Sequence, residues 1–162
     1  MPYWVCQNQY GTYLMNTLSD TNLQIALAYD HVGIRVSNRQ EAITFYERLG
    51  FKETYRIPEG EANEMVTSAG VRINLIFNAA KVKDRKNILL DETIKRPGIT
   101  HPAFIIHDIS KFQNWLVKEG IMVTEGPKKL GPRRIALFIR DPDGNVLEFN
   151  QLLSEEKTHE TI

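Results

Sequence analysis

The chain has 162 residues, 42% of them apolar and 25% charged, with 20 Lys and Arg set against 20 Asp and Glu. That neutrality argues against a nucleic-acid binder, which carries a basic footprint, and no apolar run approaches the ~20 residues of a membrane helix. The lone Cys6 excludes an internal disulfide framework and a cysteine-rich zinc site, and favours a cytoplasmic setting.

Residues 1–28 carry one charged side chain, Asp20, and lack the basic start and apolar block of a signal peptide. They read as an extension, with a short helix expected at 23–28. Its aromatic residues Tyr3, Trp4, Tyr10 and Tyr13 suit packing on the main fold or on a second subunit, although Met15 is an alternative start.

Residues 30–51 read DHVGIRVSNRQEAITFYERLGF, and a shift of 70 gives THPAFIIHDISKFQNWLVKEGI at 100–121. Each copy opens with a short apolar strand that has a histidine at its second position, His31 or His101. A helix follows. Asn38 and Glu41 have capping-box spacing, and Ala42, Phe45, Tyr46 and Leu49 fall on one helical face. In the second copy Phe112, Trp115 and Leu116 take the shifted places, and Glu119 breaks the match to Leu49. Gly50 and Gly120 end the helices, where a left-handed turn is expected.

After Gly50 come three strand-like runs near 51–57, 64–68 and 71–78; after Gly120 come 121–124, 134–140 and 146–152. Asp141-Pro142-Asp143-Gly144 is a strong hairpin signal. The expected fold is α+β: two tandem βαβββ modules, 29–78 and 100–152, forming a cleft-shaped, eight-stranded mixed sheet. Residues 79–99 hold six basic and three acidic side chains and read as a solvated linker. Residues 153–162 are a tail.

The repeat also aligns ligand-type residues. His31 and His101 are equivalent, and so are Asn74 and Glu148 at an offset of 74. A lone strand histidine is ordinarily a core residue, and a lone strand glutamate ordinarily half-exposed. Their joint placement makes a two-histidine, one-carboxylate set that suits Fe(II), Mn(II), Zn or Ni and leaves positions open for a bidentate oxygen substrate. Asn74 is a weak carbonyl ligand or a contact to bound water. His107 and His159 gain nothing from the repeat.

These modules, histidines and the FIRDPDGNVLEF stretch resemble the vicinal oxygen chelate superfamily: glyoxalase I, extradiol dioxygenases, fosfomycin-type thiol transferases and bleomycin-resistance proteins. The resemblance spans about residues 29–152. It implies metal ligands at His31, His101 and Glu148, with the second acidic ligand of bacterial glyoxalases replaced by Asn74. It implies further that Arg35 and Arg134 bind a glutathione carboxylate or another thiol's anion, and that Glu148 is the base; each arginine reads equally as an exposed strand charge. Phe138, placed in the pocket, stands where extradiol enzymes have a tyrosine, and 128–134 lacks their acid–base histidine. The leading expectation is therefore a metal-dependent, glyoxalase-type lyase or isomerase. A dioxygenase is the runner-up, with a thiol transferase and a metal-free drug-binding protein as alternatives. Other expectations are a small-molecule substrate, no nucleic acid or membrane partner, and a homodimer whose cleft both chains line.

Overall fold

The computed structural model describes residues 28–81 and 84–153 together with two short strands near the start of the chain, and it divides after Asp30 into two units. In the first unit β1 (Gln7–Asn8) pairs antiparallel with β2 (Gly11–Thr12). Apart from Ala28, the expected helix at 23–28 lies outside the described residues, as do Cys6, Tyr3, Trp4, Tyr10, Tyr13 and Met15.

The second unit contains the two βαβββ modules. The first runs β3 (Val32–Arg35), α1 (Arg39–Arg48), β4 (Phe51–Ile57), β5 (Ala62–Thr67) and β6 (Arg72–Ile76). The second runs β7 (Ala103–Ile106), α2 (Ile109–Lys118), β8 (Val123–Leu130), β9 (Arg134–Arg140) and β10 (Val146–Leu152). The eight strands form two four-stranded mixed sheets, ordered β3-β6-β5-β4 and β7-β10-β9-β8, rather than one continuous ladder. In each sheet the first strand lies parallel to the last and occupies an edge. No helix among the described residues is long and apolar enough to cross a membrane.

Local chemistry explains the elements. Asn38 caps α1 by accepting from the Glu41 backbone N–H at 3.1 Å, and Asp108 caps α2 through Lys111 at 2.9 Å. Each bond satisfies a donor that the helix start leaves open. Gly50 and Gly120 take positive φ where the chain leaves the helices, as expected. Strand alternation then sorts the two faces of each sheet. Ile34, Met65, Ile73 and Leu75 of the first module share a core with Leu137, Ile139, Leu147 and Phe149 of the second, together with Tyr46 and Leu116 from the helices. The opposite, helix-free faces carry Asn74 in one module and Phe138, Glu148 and Asn150 in the other.

β5 and β6 differ from their expected limits by one or two residues, and β8 departs furthest. β8 extends to Leu130, whereas a run ending at 124 was expected. Gly126, Pro127 and two lysines hid it, because such residues weaken a strand signal. Edge strands tolerate them, and the pairing of β8 with β9 shifts register twice to pass them.

The 141–145 turn does more than connect β9 to β10. Asp141 accepts from Asp143 and Asn145 backbone N–H groups at 2.9 and 2.8 Å, and from the buried Tyr46 hydroxyl at 3.1 Å. The Asp143 carboxylate receives the backbone N–H and the hydroxyl of Ser37, and Asn145 Nδ2 donates to the Arg35 carbonyl at 3.0 Å. The second module thus clasps the first where β3 passes into α1. Burial raises the Asp141 pKa above the ordinary aspartate value, against the lowering effect of these bonds.

The linker expected to be merely solvated also has structure. Asn87 Oδ1 accepts from the Leu89 and Leu90 N–H groups at 3.0 and 3.1 Å. Lys95 Nζ donates to the Leu90 and Glu92 carbonyls at 2.6 and 2.8 Å. Residues 87–95 therefore form a strap. Arg140 holds it through two bonds to the Asp91 carboxylate, at 2.6 and 2.8 Å.

Candidate functional site

Two of the sequence-derived ligands meet on the helix-free face of the second sheet. His101 immediately precedes the residues leading into β7, and Glu148 lies on the neighbouring β10. His101 Nε2 is 2.7 Å from Glu148 Oε2. The glutamate is 6% exposed, so its carboxyl group needs a polar partner there. The other ring nitrogen, Nδ1, is 3.0 Å from Thr100 Oγ1. A hydroxyl both donates and accepts. With the imidazole neutral, Thr100 can donate to Nδ1 while Nε2–H donates to Glu148; alternatively Thr100 Oγ1 accepts a hydrogen bond from Nδ1–H, which leaves the Nε2 lone pair open to an ion.

Phe138 pairs with Glu148 across β9 and β10, and its ring meets His101 edge-on at 5.5 Å. Lys128 Nζ lies 5.8 Å from the same ring, on the side of β8. Asn150 follows Glu148 on the same face, 3% exposed, and its Oδ1 has no hydrogen-bond partner among the described residues. Arg134 is half-buried at the far end of β9, opposite Leu152.

The first module supplies the rest of the expected set in a different setting. His31 is exposed, one residue before β3 and in phase with Gly33 and Arg35. Asn74 pairs with Gly33 on β3 and with Glu64 on β5, so it shares the helix-free face. Its Oδ1 is buried without a hydrogen-bond partner among the described residues. Glu64 is occupied by Thr54 at 2.8 Å and Arg72 at 3.1 Å. Arg35 is exposed, and its carbonyl rather than its guanidinium makes the recorded contact with Asn145. His31 does not join His101 and Glu148: among the described residues no three His, Cys, Asp or Glu side chains gather closely enough to hold a metal ion. One chain brings together two of the three expected metal ligands.

Sequence reasoning missed Thr100, Lys128 and the strap residues Leu90 and Asp91. Thr100 was legible in principle, as a hydroxyl beside a candidate ligand. The strap was not, because its docking depends on a pairing with Arg140 some fifty positions away. A cavity of about 790 Å³ lies away from the His101–Glu148 pair, bordered by Phe45, Arg48, Asp91, Ile121 and Arg140. Its charged rim is largely self-paired, for Asp91 binds Arg140 and Arg48 binds Glu119.

Comparison with known proteins agrees with this architecture. A model of the Glyoxalase/Bleomycin resistance protein/Dioxygenase superfamily matches residues 28–149. Virulence protein STM3117 of Salmonella typhimurium is 31% identical over 130 residues, covering 75% of this chain and 82% of that protein. Metallothiol transferase FosB of Shouchella clausii is 30% identical over 134 residues, covering 80% and 84%. TnmS3, an antibiotic binding protein from Streptomyces sp. CB03234, superposes with a TM-score of 0.60 at 22% identity, covering 82% of this chain and 100% of its own; that likeness concerns the fold.

Proposed function

Since the chain belongs to the Glyoxalase/Bleomycin resistance protein/Dioxygenase superfamily, we propose that it is a divalent-metal enzyme acting on a small molecule with two neighbouring oxygens, and that its reaction is thiol transfer. The observation that carries this reading is the His101–Glu148 pair, an imidazole nitrogen and a carboxylate oxygen 2.7 Å apart on one sheet face. Such a donor pair suits a borderline ion. The partnerless, buried Asn74 Oδ1 is a further oxygen in search of a partner.

Two protein ligands are fewer than a resident ion ordinarily has. The third, His31, comes in this reading from a second copy. β3 and β7 are both sheet edges, with backbone groups on their outer sides open to another strand. Pairing β3 of one copy beside β7 of another brings His31 and Asn74 toward His101 and Glu148. The assembly is then a homodimer with a site lined by both chains.

When bound, the ion acts as a Lewis acid on the two substrate oxygens. His101 and Glu148 would hold the ion, and Phe138, edge-on to His101, screens that side from water. Thr100 Oγ1 accepts a hydrogen bond from the N–H that His101 keeps at Nδ1. Lys128 and Arg134 attract an anionic substrate group or the thiol's carboxylate. Thiol transfer is preferred over isomerisation because Asn74 offers no second carboxylate as a base, and because a 30% identical relative is a metallothiol transferase. The glyoxalase-type reading retains one specific support: Glu148, freed from His101, is a carboxylate on the correct face. A thiol co-substrate also accords with a cytoplasmic setting.

The test uses Zn(II)- or Mn(II)-supplemented full-length protein with glutathione and glycidate, an epoxide carrying an adjacent carboxylate. Metal-dependent loss of free thiol supports the proposal. Turnover of a glutathione hemithioacetal instead restores the isomerase, and a protein that retains no metal is a binding module.

A further inference from the structure

Residues 87–95 cover part of the face that bears His101 and Glu148. Leu90 is half-buried against a cluster of Ala136, Phe138 and Val146. All three point to the helix-free side, since Phe138 opposes Glu148, Ala136 opposes Asn150, and Val146 precedes Glu148 by two residues on one strand. Leu90 therefore stands beside the pair, toward the 141–145 turn. Its backbone is fixed rather than draped, because the bonds from Asn87 and Lys95 set the turn that presents it.

Two attachments hold the strap against the sheet. The Asp91 carboxylate receives both arms of Arg140, a planar fork with little freedom to slip. At the start of the strap, Asn87 Nδ2 donates to the Gly144 carbonyl at 3.5 Å, and Gly144, at φ +88°, lies so near the residues entering the strap that a Cβ there would stand 2.0 Å from the Arg85 carbonyl oxygen. A leucine pinned at both flanks beside a polar pair is a wall, and a wall of fixed position discriminates by size.

We infer that the strap is a specificity element in which Leu90 limits the bulk that a chelating ligand can carry on the side of Val146 and Arg140. The inference rests on the reading of His101 and Glu148 as metal ligands. It assigns Leu90 to positioning and selection, with no part in the chemistry.

Two hydroxamates test it, because both chelate through adjacent oxygens and differ only in bulk: acetohydroxamate and benzohydroxamate. Their affinities for the Zn(II)-loaded full chain are measured by calorimetry, and the readout is the ratio of benzohydroxamate to acetohydroxamate affinity. Leu90→Ala should raise this ratio about tenfold, the scale on which an apolar pocket senses a few carbon atoms. Leu90→Val should raise it less, and serves if the alanine variant does not fold. Asp91→Asn, which loosens the fork to Arg140, should raise it in the same direction. A ratio that stays within twofold in folded variants, or that falls, overturns the inference and leaves the metal reading intact. If neither hydroxamate binds the metal-supplemented wild type, the metal reading fails and the inference falls with it.

Discussion

The helix-free faces of the two modules have the same strand order but different chemistry. In the second, His101 meets a buried carboxylate and is backed by Thr100 and Phe138. In the first, His31 is exposed, and the position equivalent to Glu148 is Asn74, with an oxygen that bonds to nothing among the described residues. A repeated fold thus fixes where donors stand, while single residues decide whether a place binds. The comparison also explains why a repeat within one chain need not yield a complete site. Both histidines lie by edge strands, and the β3 edge belongs to a different sheet from β7.

The largest effects should come from removing the carboxylate that distinguishes the two faces. Glu148→Gln should weaken Zn(II) binding by more than the 10–100-fold typical of lost supporting residues, measured by competition with a chelator. His31→Ala should do the same. Mixed after dissociation, these two variants should recover about a quarter of wild-type sites, because random pairing makes half the dimers mixed and each mixed dimer has one intact site. No recovery would mean that each chain builds its site alone.

A smaller loss should follow Thr100→Val, which keeps the shape but removes the oxygen that accepts from Nδ1. Zn(II) affinity should fall about tenfold, with unfolding midpoint nearly unchanged. Asn74→Glu sharpens the comparison from the other module by giving it the acid it lacks. Severalfold tighter Zn(II) binding is expected, and weaker binding would remove Asn74 from the site.

The smallest effect concerns pH. The hydrogen bonds from Arg140 come first among the causes that hold the Asp91 pKa below the ordinary aspartate value. A lowered carboxylate pKa means that the pair's contribution is full above about pH 4. It is lost as pH falls through the depressed value. Amide exchange at Leu90 and Asp91 should therefore be protected at neutral pH and accelerate in acid relative to strand β10, after correction for intrinsic rates. Equal behaviour would mean that the strap does not depend on the fork.

Much of the fold was legible in the sequence because the signals were local. Asn38 with Glu41, the apolar spacing of Phe45 and Tyr46, and Gly50 each depend on neighbours within one or two turns. Strands β4, β9 and β10 have the limits expected from their composition. What escaped notice depends on distant partners or on context. β8 continues through glycine and lysine because it is an edge, and the strap docks because Arg140 is opposite Asp91. In the candidate site, the repeat grouped His31, His101 and Glu148 as one set, of which His101 and Glu148 lie by adjacent strands of one sheet. It gave no means of telling that His31 belongs to an edge of another.

The clasp at 141–145 bears on the order in which the chain folds. Tyr46 and Asp141 are 95 positions apart, Ser37 and Asp143 are 106, and Arg35 and Asn145 are 110. Hairpins such as β4–β5 and β8–β9 join residues close in sequence and require little loop closure, whereas these bonds, between residues about a hundred positions apart, close long loops. Each half can gain its helix and hairpins early, but the buried Tyr46 hydroxyl and the Ser37 N–H acquire their partners only when the last hairpin arrives. Completion of the first module's packing therefore waits on the C-terminal end of the second, and a chain emerging from synthesis carries an unfinished first module until residues 141–145 are free to reach it.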